Sequence, residues 1–244
     1  MRNLFHYFSF YCTKFYVFTY VIIKNIFFIK WENIKGIYLP LEFSLGFDTL
    51  RWIVNHQYEI NEIAIIEKTI KTEDVILEIG TGLGFVSAFC SKVINNNIYT
   101  FEANSNNFEI SKKVFKKNNV NPHIENIILG NGNGNVDFSI NNKNILASSL
   151  ISTTKNTIKI ATKDLNIIIY NIKPTYLIMD IEGGEYDIFK IINFQTIRKL
   201  QFELHPKLLN EEKCNEIFEI LKANQFNIDS NISKNNNYYF SKSQ

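Results

Sequence analysis

Apolar positions along the chain follow two rhythms, and the change between them divides the sequence. Leu4 to Ile23 is almost wholly apolar and aromatic, broken by His6 and Lys14, with Lys24 and Lys30 behind it. That length just reaches the ~20 residues of a membrane span. A lysine near the middle would cost roughly 2.5–3.5 kcal/mol on insertion, which argues against a span. No small-residue cleavage site follows, so a removable signal peptide is not expected. The segment reads first as a helical extension packed on the main domain or on a second copy in a homodimer. An aromatic-rich helix lying on a membrane surface through residues 4–30 comes next, and a true span last. Gly36–Leu41 suggests a short extended piece, and from Thr49 to Ile70 apolar residues recur at helical spacing.

From Asp74 onward the pattern becomes short β-rich runs alternating with amphipathic stretches. The predicted strands are 75–78, 98–102, 175–180 and 199–204. The predicted helices that follow them are 84–93, 106–117, 185–192 and 210–223. Such alternation means a mostly parallel sheet with helices on both faces, an α/β fold. Two strand-like runs close the chain, 226–229 and 238–241, and their hairpin would put one antiparallel strand into the sheet. The expected organisation is an aromatic-rich extension over 1–48 and one domain over 49–244, with the polar stretch 131–157 left unplaced.

Composition narrows the function classes. With 45% hydrophobic and 20% charged residues among 244, the chain has a globular balance, and its formal net charge is only +2. No concentrated basic stripe is present, so a nucleic-acid partner is not expected. Cys12, Cys90 and Cys214 form neither a disulfide framework nor a zinc signature. A reducing, cytoplasmic setting is the simpler expectation.

The chemistry concentrates at strand ends. Val75-Ile-Leu-Glu78-Ile-Gly80-Thr81-Gly82-Leu-Gly84-Phe85 runs from a strand through Gly-x-Gly-x-Gly into a helix. Glycines there allow a tight turn and close approach to a ligand. A dinucleotide site wants Gly-x-Gly-x-x-Gly, and Phe85 occupies the last position. An acid before Gly-x-Gly-x-Gly is the methyltransferase form. Its cofactor, S-adenosylmethionine, has a carboxylate for the helix N-terminus and an ammonium for an acid. Glu102, at the tip of the next strand, is placed to accept from ribose hydroxyls. A second cluster, Met179-Asp180-Ile-Glu182-Gly-Gly-Glu185, ends another strand, and Glu203-Leu-His205-Pro206 ends the next. Helix-dipole stabilisation accounts for Glu185. It does not account for Asp180 and Glu182, which would be costly to pack together unless something positive lies near.

These segments resemble the FkbM family of methyltransferases. The matching pieces are Leu77–Gly84, Thr100–Asn104, Leu129-Gly130, Ala147–Ser149, Lys163–Leu165, Met179–Gly183 with Glu185, and Phe202–His205, in the family's order. Two departures are Glu78, where the family usually has aspartate, and Ala103, where a proline is common. The resemblance implies a class I methyltransferase fold, Rossmann-like, with a seven-stranded sheet in the order 3-2-1-4-5-7-6. It also implies O-methylation of a sugar, glycoconjugate or other small natural-product hydroxyl. The expected cofactor residues are Glu78, Gly80, Thr81, Gly82, Gly84, Glu102, Ala103 and Asp180. Glu185, Glu203 and Ser148 are expected to bind the acceptor.

A hydroxyl is a weak acid, so a base is expected. His205 is its candidate because an unperturbed imidazole titrates at ~6.5, with Asp180 and Glu182 as catalytic partners. Asp180 and Glu182 are also the possible ligands of a divalent cation, although the metal-free version is preferred. A base-amine methyltransferase of nucleic acids needs an Asn/Asp-Pro-Pro-aromatic loop, and the four prolines (40, 122, 174 and 206) cannot form one. The alternatives left open are a binding or scaffold protein that keeps the fold without catalysis, and a non-hydroxyl acceptor.

Overall fold

In the computed structural model, four short apolar runs form the middle of the sheet: β3 (Ile76–Ile79), β4 (Ile98–Phe101), β9 (Tyr176–Met179) and β10 (Lys199–Glu203). The structure describes residues 2–94, 97–139 and 157–242, with side chains over 10–94, 97–137 and 159–242. Every residue of β3 and β9 is buried, as a parallel sheet covered on both faces requires. The seven-stranded order is β11-β12-β10-β9-β3-β4-β5, with β5 at His123–Glu125, β11 at Phe226–Ile228 and β12 at Asn237–Lys242. All neighbours pair in parallel except β12, which is antiparallel to both β10 and β11. This is the expected sheet with its expected antiparallel strand. β3 lies between β4 and β9, so the chain leaves it in opposite directions, and the crevice opens at the carboxyl ends of these strands.

The helices fall where the periodicity put them, with ends that differ by a few residues. They are α2 (Phe47–Val54), α3 (Ile60–Thr69), α4 (Phe85–Cys90), α5 (Ser105–Asn118), α7 (Glu185–Ile191) and α8 (Glu211–Ala223). One further helix was not anticipated. α6 (Leu165–Ile172) reads locally as a β-rich isoleucine run, but the Asp164 side chain accepts from the N–H groups of Asn166 and Ile167 and starts a helix. A three-stranded sheet, β6 (Ile128–Gly130), β8 (Thr157–Asp164) and β7 (Gly134–Ser139), occupies part of the unplaced stretch. Residues 140–156, with Ser148, lie outside the described residues.

The extension holds a helix, and a hairpin stands where a short extended piece was expected. α1 (Arg2–Ile26) leads into a hairpin, β1 (Trp31–Ile34) and β2 (Ile37–Pro40), which pairs Trp31 with Pro40. Lys35 and Gly36 turn it at φ of 48° and 83°, as a two-residue hairpin loop demands. Val17, Val21, Ile37, Leu39 and Leu41 share one apolar core with Ile63, Phe85 and Val114 of the domain. No break in packing therefore marks residue 48. The opposite side of α1 faces solvent through Phe15, Tyr16, Ile23 and Ile26. No described helix is long and apolar enough to cross a membrane.

Asn118 helps to fasten the hairpin to the domain. Buried Asn118, at the end of α5, accepts from the Tyr38 N–H at 2.8 Å and donates through Nδ2 to the Tyr38 carbonyl at 2.9 Å. It acts as a one-residue strand on the edge of β2. Asn118→Ala leaves both backbone groups unpaired and should lower Tm by roughly 5–10 °C in calorimetry. A drop under about 2 °C would show that the hairpin does not rely on this bond.

Candidate active site

Beyond Ile79 the chain turns through Gly80, Gly82 and Gly84, all at positive φ. At Gly80 (φ 89°) the freedom is indispensable, because a Cβ would stand 1.9 Å from the Asp180 carbonyl oxygen. At Gly84, which caps α4, a Cβ would meet the Phe115 ring at 2.7 Å. The turn therefore holds the tips of β3 and β9 together and leaves backbone open to the crevice.

Two acids flank the turn with different neighbours. Glu78 points beneath it: its Oε2 accepts from the Ser87 hydroxyl and from Thr100 Oγ1. Because the Thr100 proton goes to Glu78, Thr81, 2.5 Å away, donates to Thr100. Glu102 faces the crevice, its Oε2 accepting from the Gly82 N–H at 2.9 Å and its Oε1 from the Asn104 N–H at 2.7 Å. Asn126 Nδ2 holds the backbone behind it through the carbonyls of Glu102 and Ala103. Burial pushes both acids up to about 7, against the hydrogen bonds they accept.

The crevice has a volume of about 990 Å³ and is lined by Gly80, Gly82, Glu102 and Ala103 on one side and by Asp180, Glu182 and Glu203 on the other. That is large enough for a cofactor and an acceptor together. α2 and α3 add Trp52 and Glu62, the turn between them adds Tyr58 and Glu59, and β12 adds Asn237. Glu59 sits in the left-handed region at φ 46°, a strained position for a side chain of its size. Burial raises the carboxyls of Glu59, Glu62, Asp180 and Glu182, and it lifts Glu203 to about 7. For most of them, the mutual repulsion of the acids adds to the shift.

His205 stands behind this wall and does not line the crevice. Its Nδ1 lies 2.5 Å from Oε1 of Glu185, which is completely buried. Its Nε2 faces Asp180 Oδ1 at 3.8 Å and Glu182 Oε2 at 3.7 Å. Burial would lower the imidazole, but the Glu185 hydrogen bond and the charges of Asp180, Glu185 and Glu182 together lift it to about 9. As it stands, His205 carries a proton at neutral pH, so the carboxylates are better placed to accept one.

Of the residues expected from the sequence, Gly80, Gly82, Glu102, Ala103, Asp180, Glu182 and Glu203 meet at the crevice. Glu78, Thr81, Gly84, Glu185 and His205 support it from outside. Glu59, Glu62 and Asn237 had no local signature. Glu59 caps and Glu62 lies on a helix before the glycine motif, and Asn237 sits in the final strand opposite Glu203.

The two ends of the sheet treat buried acids differently. At the amino end, Asp74 is satisfied by Lys199, the Thr175 hydroxyl and the Lys71 N–H. At the carboxyl end, Glu59 Oε2, Asp180 Oδ1 and Asn237 Oδ1 are buried with no partner. Orphaned acceptors of this kind are costly in a folded protein and mark a place for a ligand.

The model of the "Methyltransferase FkbM domain" matches residues 74–231, more than half of the chain, including the glycine turn, Glu102 and the wall of Asp180, Glu182 and Glu203. The chain belongs to the FkbM methyltransferase family. No curated protein matches it. Among solved structures, it is similar to ribosomal protein L11 methylase from Lactobacillus delbrueckii subsp. bulgaricus at 11% identity. The TM-score is 0.44, over 78% of this chain and 81% of that one. It is also similar to precorrin-6y C5,15-methyltransferase from Geobacter metallireducens GS-15, at 11% identity and TM-score 0.45, over 76% and 88%. A third likeness is to the tRNA (uracil-54, C5)-methyltransferase of Pyrococcus abyssi, at 14% identity and TM-score 0.48, over 86% and 42%. Likenesses this distant say nothing of the acceptor. For this FkbM methyltransferase the residues fit S-adenosylmethionine. The glycine turn leaves backbone open to the ligand, and the Glu102 carboxyl lines the crevice beside it, where a ribose could be held.

The raised acids set the pH dependence of stability. Glu78, Glu102 and Glu203 titrate at about 7 folded against 4.5 ordinarily, so between these values the folded chain binds more protons than the unfolded one. Stability contributed by their protonated forms is complete below 4.5 and is lost as pH rises through 7. His205 extends the loss from 6.5 to about 9. Urea unfolding of the ligand-free protein at constant ionic strength should show a higher midpoint at about pH 5.5 than at about pH 8. A midpoint that rises over this range would contradict the buried, uncompensated acids.

Proposed function

We propose that the chain is an S-adenosylmethionine-dependent O-methyltransferase acting on a hydroxyl of a sugar, glycoconjugate or other small natural-product acceptor. The observation that carries this reading is the wall of Asp180, Glu182 and Glu203 facing the glycine turn across one crevice. A hydroxyl gives up its proton only to a positioned acceptor, and a carboxylate titrating at about 7, such as Glu203, is well matched to neutral pH. The cofactor, when bound, supplies an electrophilic methyl group on a sulfonium. Glu102 and the backbone of Gly80 and Gly82 orient its nucleoside end. The carboxyl wall holds the acceptor hydroxyl and takes its proton as the oxygen–methyl bond forms and the sulfur–methyl bond breaks. Glu185 fixes the His205 ring, whose charge keeps Asp180 and Glu182 oriented.

Thermal unfolding with S-adenosylhomocysteine tests the cofactor half of this reading. At a hundred times Kd it should add about 2.7 kcal/mol, or roughly 5–10 °C. Glu102→Ala should remove most of the shift. With a sugar acceptor identified by screening, Asp180→Asn should lower kcat by roughly 100-fold or more while the shift stays. No shift in the parent protein would remove the cofactor. A shift with turnover unchanged in Asp180→Asn would remove the acceptor wall.

A further inference from the structure

The gap between His205 and the carboxyl wall has the shape of a metal site. Nε2 lies 3.8 Å from Asp180 Oδ1 and 3.7 Å from Glu182 Oε2, too long for a hydrogen bond to either. Two ligands of one ion, each about 2.1 Å from it, stand roughly 3.0–3.8 Å apart at ordinary coordination angles. One donor atom each from Asp180, Glu203 and His205 lies within 4.8 Å of the other two, so a closure of at most about 1 Å would bring them to an ion.

Three further observations point to a ligand at this place. Asp180 Oδ1, the oxygen facing Nε2, is shut away from water with no hydrogen-bond partner. Asn237 is 2% exposed, yet its Oδ1 has no partner either. It stands directly across from Glu203 in the β10–β12 register and lines the crevice with Asp180 and Glu203. Finally, Glu185, completely buried, holds Nδ1 of His205. A histidine backed by a carboxylate on one ring nitrogen, with the other turned toward further carboxylates, is the usual arrangement around a bound metal.

We propose that Asp180, Glu203 and His205 Nε2 bind one divalent cation, with Asn237 Oδ1 as a fourth donor. Two carboxylates and a carbonyl suit a hard ion, while an imidazole suits a borderline one, so the set favours Mn²⁺ or Zn²⁺ over Mg²⁺. The ion would lie between His205 and the carboxyl wall, where an acceptor hydroxyl entering from the crevice could complete its coordination. Bound there, the hydroxyl becomes more acidic and its proton passes to Glu182. The methyl carbon leaves sulfur for the resulting oxygen, and the sulfonium becomes a neutral thioether. The purpose of the ion rests on the methyltransferase reading; its binding does not.

The test uses the full chain, stripped with chelator and dialysed. Mn²⁺ is titrated in and followed by electron paramagnetic resonance and calorimetry. The expected result is one Mn²⁺ per chain, with nitrogen modulation from an imidazole in the pulsed spectrum. Glu203→Gln and His205→Ala should each weaken binding by roughly 30-fold or more, and His205→Ala should remove the nitrogen signal. Glu109→Gln, on the exposed face of α5 and away from the crevice, should change affinity by less than about 3-fold. Circular dichroism confirms that each variant is folded. No binding up to about 1 mM Mn²⁺, or binding that neither donor variant weakens, would overturn the site. The homocysteine-cofactor shift, measured in parallel without metal, separates the two readings. A shift without Mn²⁺ binding removes only the ion, and Mn²⁺ binding without a shift removes only the cofactor.

Discussion

The close approach of Gly80 to the Asp180 carbonyl is the contact on which the site depends. It joins the tips of β3 and β9 with no room for a side chain between them. Because the two strands are in register from Ile76–Tyr176 to Ile79–Met179, the glycine turn and the acidic segment leave the sheet at the same level. One segment then presents open backbone and the other presents carboxylates, across a crevice neither could form alone. Glu102 joins them because β4 is in register with β3 on the other side.

Charge separates the two ends of the sheet into different tasks. Asp74 with Lys199 at the amino end is a closed, fully bonded pair that ties β10 to the start of β3. The carboxyl end gathers Glu59, Glu62, Glu102, Asp180, Glu182 and Glu203 along one crevice, with Glu78 beneath the turn and the His205–Glu185 pair behind the wall. Burial without compensation is unfavourable. Its persistence at the one end where ligands bind is what a site for a cationic cofactor or ion requires.

Much of this was legible in the sequence, because parallel strands are apolar runs with chemistry at their ends. Ile76–Ile79 before the glycines and Tyr176–Met179 before Asp180 announced both the strands and the meeting of their tips. The rest depended on distant contacts. Glu59 carries no mark of its role, since α3 reaches the crevice only through core packing. The hairpin of Trp31–Pro40 is held by Asn118, 80 residues on. Leu165–Ile172 looks like a strand until the Asp164 cap is seen. His205 was legible by position but not by state, because Glu185 and the two carboxylates that raise it come from a different strand end.

The strained backbone and unrelieved acids around the crevice have a consequence outside chemistry. Folding and ligand capture draw on the same groups, so a ligand that neutralises the wall also lowers the fraction of molecules that open. In a cell, opened molecules are those that proteases remove. The abundance of this protein would therefore follow the supply of its own small-molecule ligands, rising when they are plentiful and declining by turnover when they are scarce.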